Sequence, residues 1–108
     1  MNTDLPPVIA AFFQSTNTRE FAHFLSLFTD NAHVNDEAND YYGAQIADWI
    51  DRATAGAKPT ADVTDITRDS DQFVVTAQVS GNFPGSPVQL LYYFTLKDSK
   101  IATLLIKP

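Results

Sequence analysis

Leu27-Phe28-Thr29-Asp30-Asn31-Ala32-His33-Val34-Asn35-Asp36 is the stretch in which an apolar helix end turns into a short strand that finishes on an acid. Side chains of a strand alternate between faces, so Ala32, Val34 and Asp36 share one face and His33 and Asn35 the other. With the first face turned inward, Asp36 is an ionisable group at the edge of an apolar chamber. There it either holds a turn toward Asp40 through hydrogen bonds or serves as a catalytic acid or base.

The chain before this stretch reads as a helical hairpin. Asp4 suits the cap of a first helix, with Pro6 and Pro7 in the first turn, where N–H groups are free, and Leu5, Val8, Ile9, Phe12, Phe13 and Thr16 recur at helical spacing. Asn17 followed three residues later by Glu20 reads as a capping pair for a second helix, with Phe21, Phe24, Leu25 and Phe28 at i, i+3, i+4 and i+7.

Beyond Asp36, the segment 37–40 reads as a polar loop, and Tyr41-Tyr42-Gly43 leads into a third helix with Ile46, Trp49, Ile50 and Ala53 on one stripe. Gly56, near Lys58 and Pro59, ends that helix. From Ala61 the period changes from helical to alternating: Val63 to Thr67, Gln72 to Ser80, Val88 to Leu96 and Ile101 to Ile106. The turns between them fall at 69–71, 81–87 and 97–100. Helices followed by an antiparallel meander predict one α+β domain over residues 1–108, with helices covering one face of a curved sheet.

Leu91 and Tyr93 alternate with Leu90, Tyr92 and Phe94, and Leu104 and Ile106 with Ile101 and Leu105, so both faces of the last strands are apolar. A half-solvated sheet shows polar residues on one side. A homodimer through the sheet is the economical second layer.

Composition narrows the function classes. A chain of 108 residues buries roughly 60 to 70% of its unfolded surface, and eight Phe, four Tyr and one Trp supply a core without disulfides or metals. The 13 acidic residues outnumber the 7 basic ones, for a net charge of −6 with no Lys/Arg run, which argues against nucleic acid as a partner. No segment reaches the roughly 18 apolar residues of a membrane span, and the N-terminal residues lack the basic and apolar regions of a signal peptide. Together with the absence of cysteine, this reads as a soluble, cytoplasmic protein. The acids Asp36, Glu37 and Asp40 crowd together but have neither EF-hand spacing nor a paired histidine, and no phosphate loop or nucleophile elbow is present. No metal and no cofactor are therefore expected.

The order of elements resembles the nuclear transport factor 2-like superfamily. The resemblance is carried by residues 27–32 at the second helix exit, Tyr42-Gly43 before the third helix, and the hairpin Val79-Ser80-Gly81-Asn82-Phe83-Pro84-Gly85-Ser86-Pro87-Val88. It covers Leu5 to Ile106 and is closest to the SnoaL-like branch, which is related to the ketosteroid isomerases and polyketide cyclases. The resemblance implies a cone-like sheet wrapping a pocket closed by helices, and commonly a sheet-to-sheet dimer.

Asp36 matches the position of the isomerases' general base, because Phe28, Ala32 and Val34 precede it at the same spacings. Phe12 stands where those enzymes carry an oxyanion-hole tyrosine. Tyr92 falls, after a one-residue gap, at the position of their protonated aspartate. The family's own donor pair is thus absent, and Tyr92 is the one candidate donor opposite Asp36. Phe12, Val34, Tyr41, Tyr42, Trp49, Val75 and Phe94 are candidate pocket walls, although aromatic residues at such positions also simply fill cores. His33 and His23 read as surface residues. The expectation is a small-molecule pocket protein of isomerase, cyclase or hydrolase type acting on a small hydrophobic carbonyl compound through Asp36 and Tyr92. The alternative is a non-catalytic ligand- or protein-binding domain of the same fold.

Overall fold

The computed structural model describes residues 5–55 and 59–108; the expected cap Asp4 and the expected helix-ending Gly56 and Lys58 lie outside them. Helix α1 (Pro7–Thr18) begins with Pro6 at the cap position and Pro7 in the first turn, where a missing N–H costs nothing. It ends at Arg19, whose left-handed backbone (φ 64°) directs the chain into α2 (Phe21–Ser26). The two helices bury Ile9, Phe12, Phe13 and Phe24 against the sheet.

The expected Asn17–Glu20 capping pair does not form. Asn17 lies inside α1 and its amide spends both hydrogen-bonding functions on the backbone of Ala61, while Glu20 accepts a hydrogen bond from the Thr18 hydroxyl at 2.8 Å. Phe28 also departs from the expected helical stripe. Helix α2 stops at Ser26, and Phe28 opens strand β1 (Phe28–Asp36), held there by the Ile101 amide donating to the Leu27 carbonyl at 2.8 Å.

Strand β2 (Asn39–Tyr42) occupies the segment that reads as loop, forming a hairpin with β1 in the register Asp36 to Asn39 and Val34 to Tyr41. Its turn places Glu37 and Ala38 at positive φ, as a two-residue hairpin with right-handed strand twist requires, but without the Asn-Gly pair that signals such turns. Gly43 (φ 52°) then starts the approach to helix α3 (Gln45–Thr54). A Cβ there would sit 3.2 Å from the Asp30 carbonyl, so glycine serves both the dihedral and the close passage.

The remaining strands are β3 (Thr60–Asp69), β4 (Gln72–Ser80), β5 (Val88–Lys97) and β6 (Lys100–Lys107). The six form one curved, unclosed sheet in the order β2-β1-β6-β5-β4-β3, antiparallel except for the β1–β6 pair. Register shifts in β1–β6, β3–β4 and β5–β6 are the bulges that let a sheet bend.

One shift, between Thr95 and Leu96, overturns the expected alternation of the last strand. Ile101 turns inward and is fully buried beside Leu104, on the same face as Ile106, leaving Leu105 on the outer face. The inner face carries Ala32, Val34, Val75, Ala77, Tyr92 and Phe94, all buried beneath the helices.

Candidate functional site

A cavity of about 590 Å³ lies between the inner sheet face and the helices. This is within the size range of small-molecule pockets. Helix α1 contributes Phe12, Phe13 and Thr16, and α3 contributes Trp49, Ile50 and Thr54. The sheet floor is Val79, Leu90, Tyr92 and Ile106, and Phe83 and Pro84 of the β4–β5 loop close one side. The walls are mostly aliphatic and aromatic. Both threonine hydroxyls already donate to helix carbonyls, Thr16 to Phe12 and Thr54 to Ile50, at 2.7 Å each, so they can offer a ligand only an acceptor.

Asp36 stands at the end of β1, half-buried, with its side chain on the cavity wall. The Trp49 indole Nε1 donates to its Oδ2 at 3.1 Å. Burial pushes the carboxyl above its ordinary value of 3.8; the Trp49 hydrogen bond pulls against that shift and the neighbouring Glu37 charge adds to it.

Tyr92 lies in the same transverse row of the sheet. Asp36 pairs with Ile106 on β6, and Ile106 pairs with Tyr92 on β5, so two strand spacings, roughly 10 Å, separate the two backbones. Its phenol is held well above the usual tyrosine range, first by burial and then by the Asp36 charge, and is a neutral donor at physiological pH. Tyr92 is only 7% exposed, yet its oxygen is not sealed in the core. Among the described residues no fully buried side-chain oxygen or nitrogen lacks a partner, and the phenol, which bonds none of the described residues, opens on the cavity.

Of the other residues singled out from the sequence, Phe12 and Trp49 line this cavity. Val34, Val75 and Phe94 face inward but are fully buried behind its surface. Tyr41 packs against Trp49 with ring centroids 6.2 Å apart and carries the Arg52 guanidinium 5.5 Å from its own centroid. Tyr42 is 56% exposed and stacks on His33 at 4.5 Å, on the sheet face turned away from the cavity. His33 in turn bonds Asp40 at 2.7 Å, so it faces away from Asp36 as the strand alternation requires. His23 is exposed.

Phe13, Thr16, Ile50, Thr54, Phe83 and Leu90 also line the cavity, beyond the walls expected from the sequence. Leu90 was accessible from its alternation with Tyr92, and Ile50 and Thr54 from the Trp49 stripe. The placement of Phe83 depends on how the β4–β5 loop folds back, which no periodicity reports.

The SnoaL-like domain family matches residues 9–104, nearly the whole chain. The chain belongs to the SnoaL-like family. This SnoaL-like domain is 37% identical to a candidate polyketide cyclase from Sinorhizobium meliloti, with a TM-score of 0.93 and 96% of each chain covered. A candidate ketosteroid isomerase from Kribbella flavida is 12% identical, with a TM-score of 0.80 over 94% of this chain and 74% of that one. A protein of ketosteroid isomerase-like fold from Catenulispora acidiphila, solved with trimethylamine, is 18% identical with a TM-score of 0.82, covering 95% and 85%. The last two likenesses are of fold alone. No curated protein matches the chain. No helix among the described residues is long and apolar enough to cross a membrane.

Proposed function

We propose that this SnoaL-like domain moves a proton on a small hydrophobic carbonyl compound held in the cavity, as an isomerase or cyclase does. The observation that carries the reading is one row of the sheet that presents a carboxyl and a neutral phenol to the same apolar chamber. Ionised Asp36 takes a proton from the carbon next to the carbonyl, and the C–H electron pair moves into an enolate. Tyr92 donates to the enolate oxygen. The proton returns to another carbon in an isomerisation; in a cyclisation the enolate carbon attacks a second carbonyl, whose π electrons move onto its oxygen, and that oxygen takes the proton back from Asp36. A carboxyl raised by burial is a stronger base than one in water, which suits this step.

The test is hydrogen exchange. In deuterated buffer, a compact fused-ring ketone such as 2-tetralone should gain deuterium beside its carbonyl faster with the protein than with buffer alone, and Asp36→Asn should return the rate to background. Exchange that never exceeds buffer, or that survives Asp36→Asn, rejects the enzymatic reading.

The rival reading is a non-catalytic binding domain of the same fold. It is favoured by Phe12, which puts a ring without a hydroxyl where a second donor would strengthen Tyr92. Under it, the ketones quench or shift the fluorescence of Trp49 on binding but exchange no hydrogen. We also propose that a second copy covers the outer sheet face, where Val74, Tyr93 and Leu105 align across β4, β5 and β6 and Leu91 lies beside them.

A further inference from the structure

The two oxygens of the Asp36 carboxyl are not equivalent. Trp49 Nε1 donates to Oδ2 at 3.1 Å, and an indole N–H is a donor with no acceptor capacity. A proton on Oδ2 would point at another N–H hydrogen, so the protonated carboxyl carries its hydrogen on Oδ1.

The indole that imposes this asymmetry is itself fixed. Trp49 is buried, with the Phe24 ring 6.2 Å away on one side and the Tyr41 ring 6.2 Å away on another. Tyr41 is clamped from outside by the Arg52 guanidinium, one helical turn beyond Trp49 on α3. A chain of contacts therefore runs from Arg52 through the tilted Tyr41 ring to the indole and ends on the carboxyl.

We propose that Trp49 is a positioning residue: its indole N–H pins Oδ2 of Asp36, so that Oδ1 alone takes up and hands over the proton. This rests on the reading of Asp36 as the proton-moving group. The other charged or titratable groups near the carboxyl act differently. Glu37, next along the chain, repels its charge through its own side chain while its backbone N–H bonds the carboxyl and partly offsets that effect; Tyr92 from β5 is neutral; and Lys107 from β6 holds its ammonium 5.2 Å from the Tyr93 ring centroid. Among the described residues, Trp49 is the side chain that bonds Oδ2.

Trp49 is the chain's single tryptophan, so 5-fluorotryptophan labels this position alone. Asp36 is titrated by carboxyl-carbon NMR in the natural protein, in Trp49→Phe and in the fluorinated protein. Trp49→Phe should raise the Asp36 midpoint by about one pH unit, the scale of one hydrogen bond to a charged group. The fluorinated indole, a more acidic donor of nearly unchanged shape, should lower the midpoint, and its fluorine resonance should titrate with Asp36. In the ketone exchange assay Trp49→Phe should lower kcat about tenfold, the rate equivalent of one such bond, with a smaller change in KM.

A midpoint unmoved by both changes, with a fluorine signal flat through the Asp36 titration, overturns the proposal. The fluorinated protein decides the matter if Trp49→Phe fails to fold. Absence of ketone exchange in the natural protein overturns the proton-transfer reading and the positioning role together; the titrations separate that failure from loss of the hydrogen bond itself.

Discussion

Asp36 and Tyr92 are each paired with Ile106 across neighbouring strands, so an aliphatic side chain stands between a carboxyl and a phenol that face one cavity. A carbonyl compound lying over Ile106 meets a base at one end and a donor at the other. If both groups act on the same bound molecule, their substitutions are not independent.

Asp36→Asn should slow deuterium exchange into the ketone by roughly a hundred- to ten-thousandfold, the range for removing a general base. Tyr92→Phe should slow it by about a hundredfold, the lower range for losing one enolate donor. The double variant should lose less than the product of the two. Full multiplicativity in a double-mutant cycle, or an unchanged rate in Tyr92→Phe, would remove Tyr92 from the mechanism.

Stability should carry the signature of the buried carboxyl. Asp36 titrates above 3.8 in the folded chain and returns to the ordinary value on unfolding, so the unfolded state gives up this proton at lower pH. Its contribution is fully favourable below about pH 3.8 and is lost as pH rises through the folded midpoint. Asp36→Asn keeps an oxygen for the Trp49 N–H and cannot ionise. Relative to the natural protein, this variant should gain stability as pH rises through that window, read as Tm by calorimetry from pH 3 to 8. A difference in Tm that stays constant over this range would contradict the raised midpoint.

Asp40, on the opposite sheet face, has the reverse sign. Its carboxyl is held below 3.8 by the hydrogen bond from Asn35 and then by that with His33, so its contribution is present above pH 3.8 and is lost as acid protonates it. The difference in Tm between the natural protein and Asp40→Asn should shrink as pH falls below that value. A gap that widens in acid would reverse the assignment.

Most of the architecture was legible in the sequence because period survives in it. The change from helical spacing before Gly56 to alternation after Ala61 is visible without coordinates, and the side of the pleat on which Asp36 falls follows from counting back to Ala32. What escaped depends on partners distant in sequence. Strand β2 is nearly all exposed and its turn uses Glu37 and Ala38, so neither hydrophobic alternation nor turn chemistry marks it. The inward turn of Ile101 follows from a bulge at Ala102 in its own strand, where two residues of β6 pass one of β5, and only the pairing with β5 reveals it. The Trp49 bond to Asp36 joins residues 13 apart in different elements. Local spacing placed both on apolar faces and could not pair them.

Asn17 is a second case of a distant partner winning over a local pattern. Its amide donates to the Ala61 carbonyl at 3.0 Å and accepts from the Ala61 amide at 2.9 Å, acting as one more strand residue along the edge of β3. This ties α1, which carries Phe12, Phe13 and Thr16 into the cavity, to the strand that forms the opposite wall. Asn17→Ala should cost about 1–3 kcal/mol in denaturant unfolding, the range for leaving partly buried hydrogen-bonding groups unpaired. Asn17→Asp retains the acceptor but places a carboxylate against the Ala61 carbonyl, so it should recover none of the loss above its own pKa. An Asn17→Ala variant as stable as the natural protein would show that the edge is held by other contacts.

The outer face sets the last expectation. Val74, Tyr93 and Leu105 form an apolar row with Asn35 and Asp40 continuing it toward β2. Burying that row against its two-fold copy removes apolar area from water on both subunits, while the polar end remains at the rim. Sedimentation at micromolar concentration should therefore give twice the 11.9 kDa of one chain. Leu105→Glu would place a like charge on both sides of the two-fold axis and should reduce the mass to that of one chain, with the circular dichroism of the folded domain retained. A natural protein that sediments as a single chain at these concentrations would reject the assembly, and a dimer unaffected by Leu105→Glu would move it to another surface.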